Sequence, residues 1–213
     1  MRLLVHRRPL RRILRWTQYV LLAGGVAMLA YCGFVLTDAW IFQKRERHRL
    51  EELLRQRRAA RGAASAAGAQ ARGSATQPAV IGGLIGRIEI PRLGLSVIVM
   101  EGTTRSTLRR AVGHIAGTAL PGQTGNVGVA GHRDTFFRPL RDIRQNDIIT
   151  LTTLLGEYRY RVVSIKVVGP YDVAVLNPCP NQVLTLVTCY PFYFVGSAPS
   201  RFIVRAERVD NVS

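Results

Sequence analysis

Residues 16–37 form an uninterrupted run of 22 positions without a charged side chain, most of them apolar. At about 1.5 Å of rise per residue, a helix of that length crosses the roughly 30 Å hydrocarbon core of a bilayer. Trp16, Tyr19 and Trp40 stand near its two ends, where amphipathic rings favour the membrane interface. A buried core helix is not expected at this length. A cleaved signal peptide has an apolar stretch of about 7–15 residues closed by a small-x-small site, and this run is longer and lacks such a site. Cys32 follows Tyr31, not the small residue that a lipoprotein anchor would need. The run therefore reads as an uncleaved single span.

The charge distribution agrees with a membrane as the basic partner. Net charge is +17, yet residues 1–82 hold 15 Lys/Arg against 4 acids and residues 83–213 hold 15 against 9. Most of the excess thus flanks the span, where basic residues contact anionic head groups. Basic residues interleaved with aromatics do not cluster in residues 84–213, which excludes a nucleic-acid module. Residues 2–15 contain six arginines and no acid, and Lys44, Arg45, Arg47, Arg49 and Arg55 follow the span. The positive-inside rule is nearly balanced by these two clusters and leaves the orientation open.

After the span, residues 38–61 read as a charged helix with a thin apolar stripe of Leu50, Leu53 and Leu54, expected to act as a stalk. Residues 59–83, rich in Ala, Gly, Ser and Gln, read as a flexible linker. From residue 84 the pattern changes to short β-branched runs at 85–90, 96–100, 126–130, 147–152, 157–168, 183–188 and 201–208. Pro91, Gly94, Pro121-Gly122, Gly156, Pro178 and Pro180 punctuate them. Short helices are expected near 106–113 and 139–144. Seven or eight short strands over the remaining chain predict a mostly β domain, one closed barrel or sandwich. The expected organisation is a basic flank at 1–15, a transmembrane helix at 16–37, a stalk and linker at 38–83 and the β domain at 84–210.

Two segments put a reactive side chain where an apolar strand gives way to a loop: Gly131-His132-Arg133-Asp134-Thr135-Phe136-Phe137 and Thr185-Leu186-Val187-Thr188-Cys189-Tyr190-Pro191-Phe192. A strand fixes the backbone and the loop exposes the side chain. A free thiol has a pKa near 8.5, so a cysteine nucleophile needs a base or cation beside it. A histidine supplies the proton acceptor, and an arginine can stabilise the oxyanion formed on attack at a carbonyl. Spacing alone leaves Cys189 open to a second reading as a buried core thiol. The polar, aromatic and strand-breaking flanks Thr188, Tyr190 and Pro191 argue against a mid-strand core position. With three cysteines (Cys32, Cys179 and Cys189) and no Cys-x-x-Cys pair, neither a disulfide scaffold nor a thiolate metal site is expected.

The run Thr185-Leu186-Val187-Thr188-Cys189 resembles the Thr-Leu-x-Thr-Cys signature of sortases. With Tyr190-Pro191-Phe192, the Gly131–Phe137 segment, Leu120-Pro121-Gly122, Gly125-Asn126 and Ala198-Pro199-Ser200-Arg201-Phe202, the resemblance is to the class D branch. It covers about residues 84–209, and the order His, Cys, Arg is that of the family. It differs from a papain-like arrangement, which puts the cysteine first.

The resemblance implies an eight-stranded sortase-type β-barrel and a cysteine transpeptidase. Cys189 would attack the Thr–Gly or Thr–Ala carbonyl of a Leu-Pro-x-Thr sorting signal and form a thioacyl-enzyme. His132 would protonate the departing amine and then deprotonate the incoming one. Arg201 would stabilise the oxyanion or orient the substrate backbone. Thr188 would help position the acyl group, and Asp134 would orient the His132 loop or cap its turn.

The implied partners are secreted proteins bearing a sorting signal, an amine acceptor such as a peptidoglycan precursor or a pilin, and membrane lipid. No cofactor and no metal are expected. The family also implies a cytoplasmic N-terminus and an extracytoplasmic catalytic domain. A pairing of Cys179 with Cys189 in an oxidising compartment would silence the enzyme. His114 is expected to make a structural hydrogen bond. The alternative function is a membrane-tethered, non-catalytic β-domain that binds a partner.

Overall fold

The computed structural model describes residues 7–66, 80, 82–193 and 196–209. The chain divides into two compact units, Met1–Ile41 and Phe42–Ser213.

The first unit is helical from Arg7, the start of helix α1 (Arg7–Ala66). Its apolar side chains face outward, with Leu14, Trp16, Leu21, Leu29, Phe34 and Leu36 all exposed. One stretch of this helix is long and apolar enough to cross a membrane, which is the environment in which exposed Leu and Phe side chains lose no favourable burial.

The second unit is a closed eight-stranded barrel. Its strands are β1 (Leu84–Ile90), β2 (Leu95–Glu101), β3 (Val112–His114), β4 (Gly125–Ala130), β5 (Ile148–Thr153), β6 (Glu157–Val168), β7 (Gln182–Tyr190) and β8 (Ser200–Arg208), with the short helix α2 (Arg105–Arg110) between β2 and β3. Around the barrel the order is β1-β2-β3-β4-β7-β8-β6-β5. The β2/β3 and β4/β7 pairs are parallel and the rest antiparallel.

Strand periodicity sorts the side chains into two sets. Val127 and Val129 of β4, Leu184 and Leu186 of β7, and Val204 and Ala206 of β8 fill the barrel with Ile88, Val97, Leu151 and Tyr160. The alternate positions of β7 (Val183, Thr185, Val187 and Cys189) therefore face outward. A register shift between Val162 and Ser164 changes the phase of β6. Tyr160 and Val162 point in before the bulge and Ile165 packs against the core after it, which turns Ser164 and Lys166 to the outer face.

All seven strands expected from the sequence form. The expected helix at 106–113 is shorter. Its last residues instead become β3, because the parallel register Val99↔Val112 to Glu101↔His114 closes the barrel between β2 and β4. The expected helix at 139–144 is a 3-10 turn over Arg138–Asp142.

The part of α1 within the second unit is not a free stalk. Leu50 is 1 % exposed and packs with Leu84, Ile98 and Leu154, flanked by Leu53, Leu54 and Met100. Polar contacts border that seam: the Gln43 carboxamide donates to the Arg110 carbonyl at 2.7 Å and accepts from the Ile98 amide at 3.0 Å. Arg57 donates to the Leu154 carbonyl at 2.9 Å. Residues 59–66 of the expected linker continue α1, and most of the remainder lies outside the described residues.

Candidate active site

Strand β7 carries Cys189 next to its end, and β8 begins one residue before Arg201. The two residues are direct partners in the antiparallel register, which brings their Cβ atoms to about 4.5–5.5 Å. By alternation both side chains lie on the outer face of the barrel, and both are part-exposed. Arg201 donates from Nη1 to the carbonyls of Ala198 at 3.3 Å and Ser200 at 3.0 Å. Those bonds orient the guanidinium, and among the described residues no hydrogen bond engages its Nε and Nη2 hydrogens, which are donors suited to a substrate oxygen.

His132 reaches the same end of the barrel from the other side. Strand β4 runs parallel to β7 and ends with Ala130 opposite Val187. The ladder continues one step further, since the Gly131 amide donates to the Val187 carbonyl at 3.1 Å. Thr188, only 2 % exposed, donates its hydroxyl to the Gly131 carbonyl at 2.7 Å. Extending that register by one residue sets His132 level with Cys189. His132 itself is exposed.

The turn after His132 is closed by the Phe137 amide donating to the His132 carbonyl at 3.0 Å. The buried Phe137 ring lies so close to Gly131 that a Cβ there would meet it at 2.7 Å, so only glycine admits this path. Arg133 donates to the Gly196 carbonyl at 3.0 Å and links the His132 turn to the β7–β8 loop. Tyr190, Phe192 and Phe202 brace the base of that loop, with ring centroids 5.1–6.1 Å apart.

A part-exposed thiol, an imidazole in the turn just beyond the adjoining strand and a guanidinium directly opposite the thiol in the strand register form a set suited to acyl transfer. The family model described as "Sortase domain" matches residues 88–209. The chain belongs to the sortase family. It is 31 % identical over 196 residues to Sortase D of Bacillus subtilis, covering 89 % of this chain and 96 % of that protein. Among solved structures, the Clostridium perfringens Sortase D5 transpeptidase matches with a TM-score of 0.55 at 32 % identity, covering 60 % of this chain and 79 % of that one. Sortase A from Corynebacterium diphtheriae matches with a TM-score of 0.56 at 37 % identity, covering 60 % of this chain and 61 % of that one. Sortases are cysteine transpeptidases that act on sorting-signal proteins and amine acceptors, and this chain is an enzyme of that kind.

Within this sortase the remaining residues singled out from the sequence have distinct surroundings. Asp134 is exposed in the turn that follows His132. His114 is 3 % exposed, and its Nδ1 lies 3.0 Å from Glu101 Oε2 while its Nε2 lies 3.0 Å from both the Ala119 carbonyl and Thr118 Oγ1. Thr118 Oγ1 in turn accepts the Gly128 amide at 3.0 Å, so His114 braces the loop before β4.

The pairing of Cys179 with Cys189 is corrected. Cys179 precedes β7 and Cys189 lies near its far end; seven residues of strand separate Gln182 from Cys189, about 23 Å at 3.3 Å per residue. A disulfide needs Cα atoms within about 7 Å. All three cysteines are free thiols, and Cys179 donates weakly to the Asn181 carbonyl at 3.3 Å.

Asn126 and Thr185 were not singled out as site residues from the sequence, yet they shape the outer face leading to Cys189. Thr185 donates to Asn126 Oδ1 at 2.7 Å. Asn126 Nδ2 donates to the carbonyls of Val175 at 3.0 Å and Asn177 at 3.4 Å. This pins the 3-10 turn Val173–Leu176, in the β6–β7 connection, over β4 and β7. Gly128 makes room for it, since a Cβ there would meet Leu176 at 3.0 Å. Asn126 and Thr185 are both buried polar side chains whose hydrogen-bonding groups find each other across the two strands.

Proposed function

We propose that this sortase cleaves a C-terminal Leu-Pro-x-Thr-type sorting signal through a thioacyl-enzyme at Cys189. The Cys189 thiol passes its proton to His132 as the sulfur adds to the threonine carbonyl carbon, and Arg201 donates hydrogen bonds to the oxyanion that forms. As the C–N bond breaks, His132 gives its proton to the departing amine. An incoming amine then loses a proton to His132 and attacks the thioester carbonyl. A new amide bond forms and the Cys189 sulfur leaves. The observation that supports this reading most directly is the cross-strand pairing of Cys189 with Arg201. The Thr188–Gly131 bond, which fixes the approach of the His132 turn, supports it further.

The same reading takes α1 as a single membrane anchor with a cytoplasmic N-terminus and the barrel outside, facing secreted substrates and a cell-wall or pilin amine.

The test is incubation of the full-length chain in detergent with a Leu-Pro-x-Thr-x peptide library and an amine acceptor, read by intact-protein mass spectrometry. An acyl adduct on Cys189 and a ligated product, both lost in Cys189→Ala, are expected. Peptide binding that survives Cys189→Ala with no adduct or product in the parent chain would instead establish a non-catalytic binding domain.

A further inference from the structure

Beside the candidate active site, a cleft of about 360 Å³ lies on the outer face of β6, β7 and β8, under the connection that holds the Val173–Leu176 turn. Its lining includes Thr185, Ile203, Arg205, Ser164, Lys166 and Asp172. The β8 register makes the cleft continuous with the reacting centre. Arg201, Ile203 and Arg205 share one face of β8, opposite Cys189, Val187 and Thr185 of β7. Lys166 of β6 stands opposite Ile203, between the two arginines. A row of three cations thus runs from the oxyanion position into the cleft, against one lining acid, Asp172. Among the described residues neither Lys166 nor Arg205 has a hydrogen-bonded or ion-paired partner, and Arg205 is half-buried. A cation held partly out of water without a counter-ion favours an anionic ligand.

Four residues of β8 separate Arg201 from Arg205, about 13.6 Å at 3.4 Å per residue. An extended substrate with its scissile carbonyl at Arg201 therefore puts the residue four positions away beside Arg205. The acyl half must stay in place while the leaving half departs to admit the amine, so a walled cleft suits the acyl half. Four residues upstream of the reacting threonine is the position just before the Leu-Pro-x-Thr motif.

We propose that Lys166 and Arg205 bind a carboxylate there, making this sortase selective for sorting signals preceded by Asp or Glu. The inference rests on the sorting-signal reading above. Its test uses the best donor from the peptide library, remade with Glu, Gln or Lys immediately before the leucine. The readout is kcat/KM for the full-length chain in detergent at low and high salt. Glu is expected to exceed Gln by about three- to tenfold at low salt, as for partly exposed ion pairs, and the margin should shrink as salt screens it. Arg205→Gln and Lys166→Gln should each reduce the margin of the Glu peptide over the Gln peptide. Arg205→Glu should turn the preference toward the Lys peptide. Equal rates on Glu and Gln peptides in the parent chain, or a preference that survives both neutral variants, would overturn the inference while leaving the transpeptidase reading intact. A library that yields neither adduct nor product would overturn both.

Discussion

The Thr188 hydroxyl donates to the Gly131 carbonyl at 2.7 Å, tying the strand that carries Cys189 to the turn that carries His132. The bond is buried, so no water replaces it when it is removed. Thr188→Val keeps the shape and deletes the donor. The expected result is a roughly 10- to 100-fold fall in kcat, the scale by which small misplacements of catalytic groups act, with a lesser change in KM. Thr188→Ser restores the donor and should recover most of the rate. A Thr188→Val enzyme with parental kcat would show that the bond does not set the position of His132.

The Asn126 clamp predicts a different kinetic signature. Asn126→Asp retains an acceptor for Thr185 but turns two attractive contacts, to the carbonyls of Val175 and Asn177, into repulsions. The turn Val173–Leu176 should loosen, with faster amide exchange across residues 173–177. KM for the donor peptide should rise by about tenfold, the equivalent of roughly 1.4 kcal/mol, with kcat less affected. Unchanged exchange and KM would remove Asn126 from the substrate-binding wall.

Much of this architecture is legible in the sequence because local chemistry and tertiary demand coincide. The β-branched runs that become β4, β7 and β8 alternate or punctuate clearly, and the Cys189 and His132 segments both end in turn-forming residues. Strand β3 is hidden because its three residues follow a helix without a breaker, and only pairing with β2 and β4 decides their state. The stripe of Leu50, Leu53 and Leu54 looks thin by helical periodicity, since it needs only the narrow patch of Leu84, Ile98 and Leu154 as its partner. The Asn126–Thr185 clamp joins residues 59 apart in sequence, a relationship that no local pattern carries.

Docking of α1 on the barrel contributes to stability. Leu50 is enclosed by barrel side chains, and Leu50→Ala removes that packing and leaves a cavity, at a cost of about 2–4 kcal/mol. The expected readout is a several-degree fall in the thermal midpoint of the detergent-solubilised chain. Leu50→Met, which conserves volume, should cost less than about 1.5 kcal/mol. A midpoint unmoved by Leu50→Ala would mean that the helix does not stay on the barrel in solution.

The barrel's dependence on acid follows from Asp147. Its carboxylate is 8 % exposed; it accepts from Arg92 Nε at 2.6 Å and from the Arg144 amide at 2.8 Å. The hydrogen bond from Arg92, followed by that from the Arg144 backbone and the nearby positive charges, holds the Asp147 carboxyl below its ordinary range against the opposing effect of burial. The folded state thus binds this proton more weakly than the unfolded chain, whose aspartate titrates near pH 3.9. The stabilisation is fully present above that value and is lost as pH falls through the folded-state pKa beneath it. Asp147→Asn should destabilise the barrel at pH 7 by about 1–3 kcal/mol, since it leaves the Arg92 guanidinium with a neutral partner. The same variant should flatten the decline in stability between about pH 5 and pH 2. Urea unfolding followed by near-UV circular dichroism, to which the buried Tyr160 and Phe137 of the barrel contribute, and by far-UV circular dichroism at a series of pH values checks both. Parallel acid declines in Asp147→Asn and the parent chain would assign the acid sensitivity to other carboxylates.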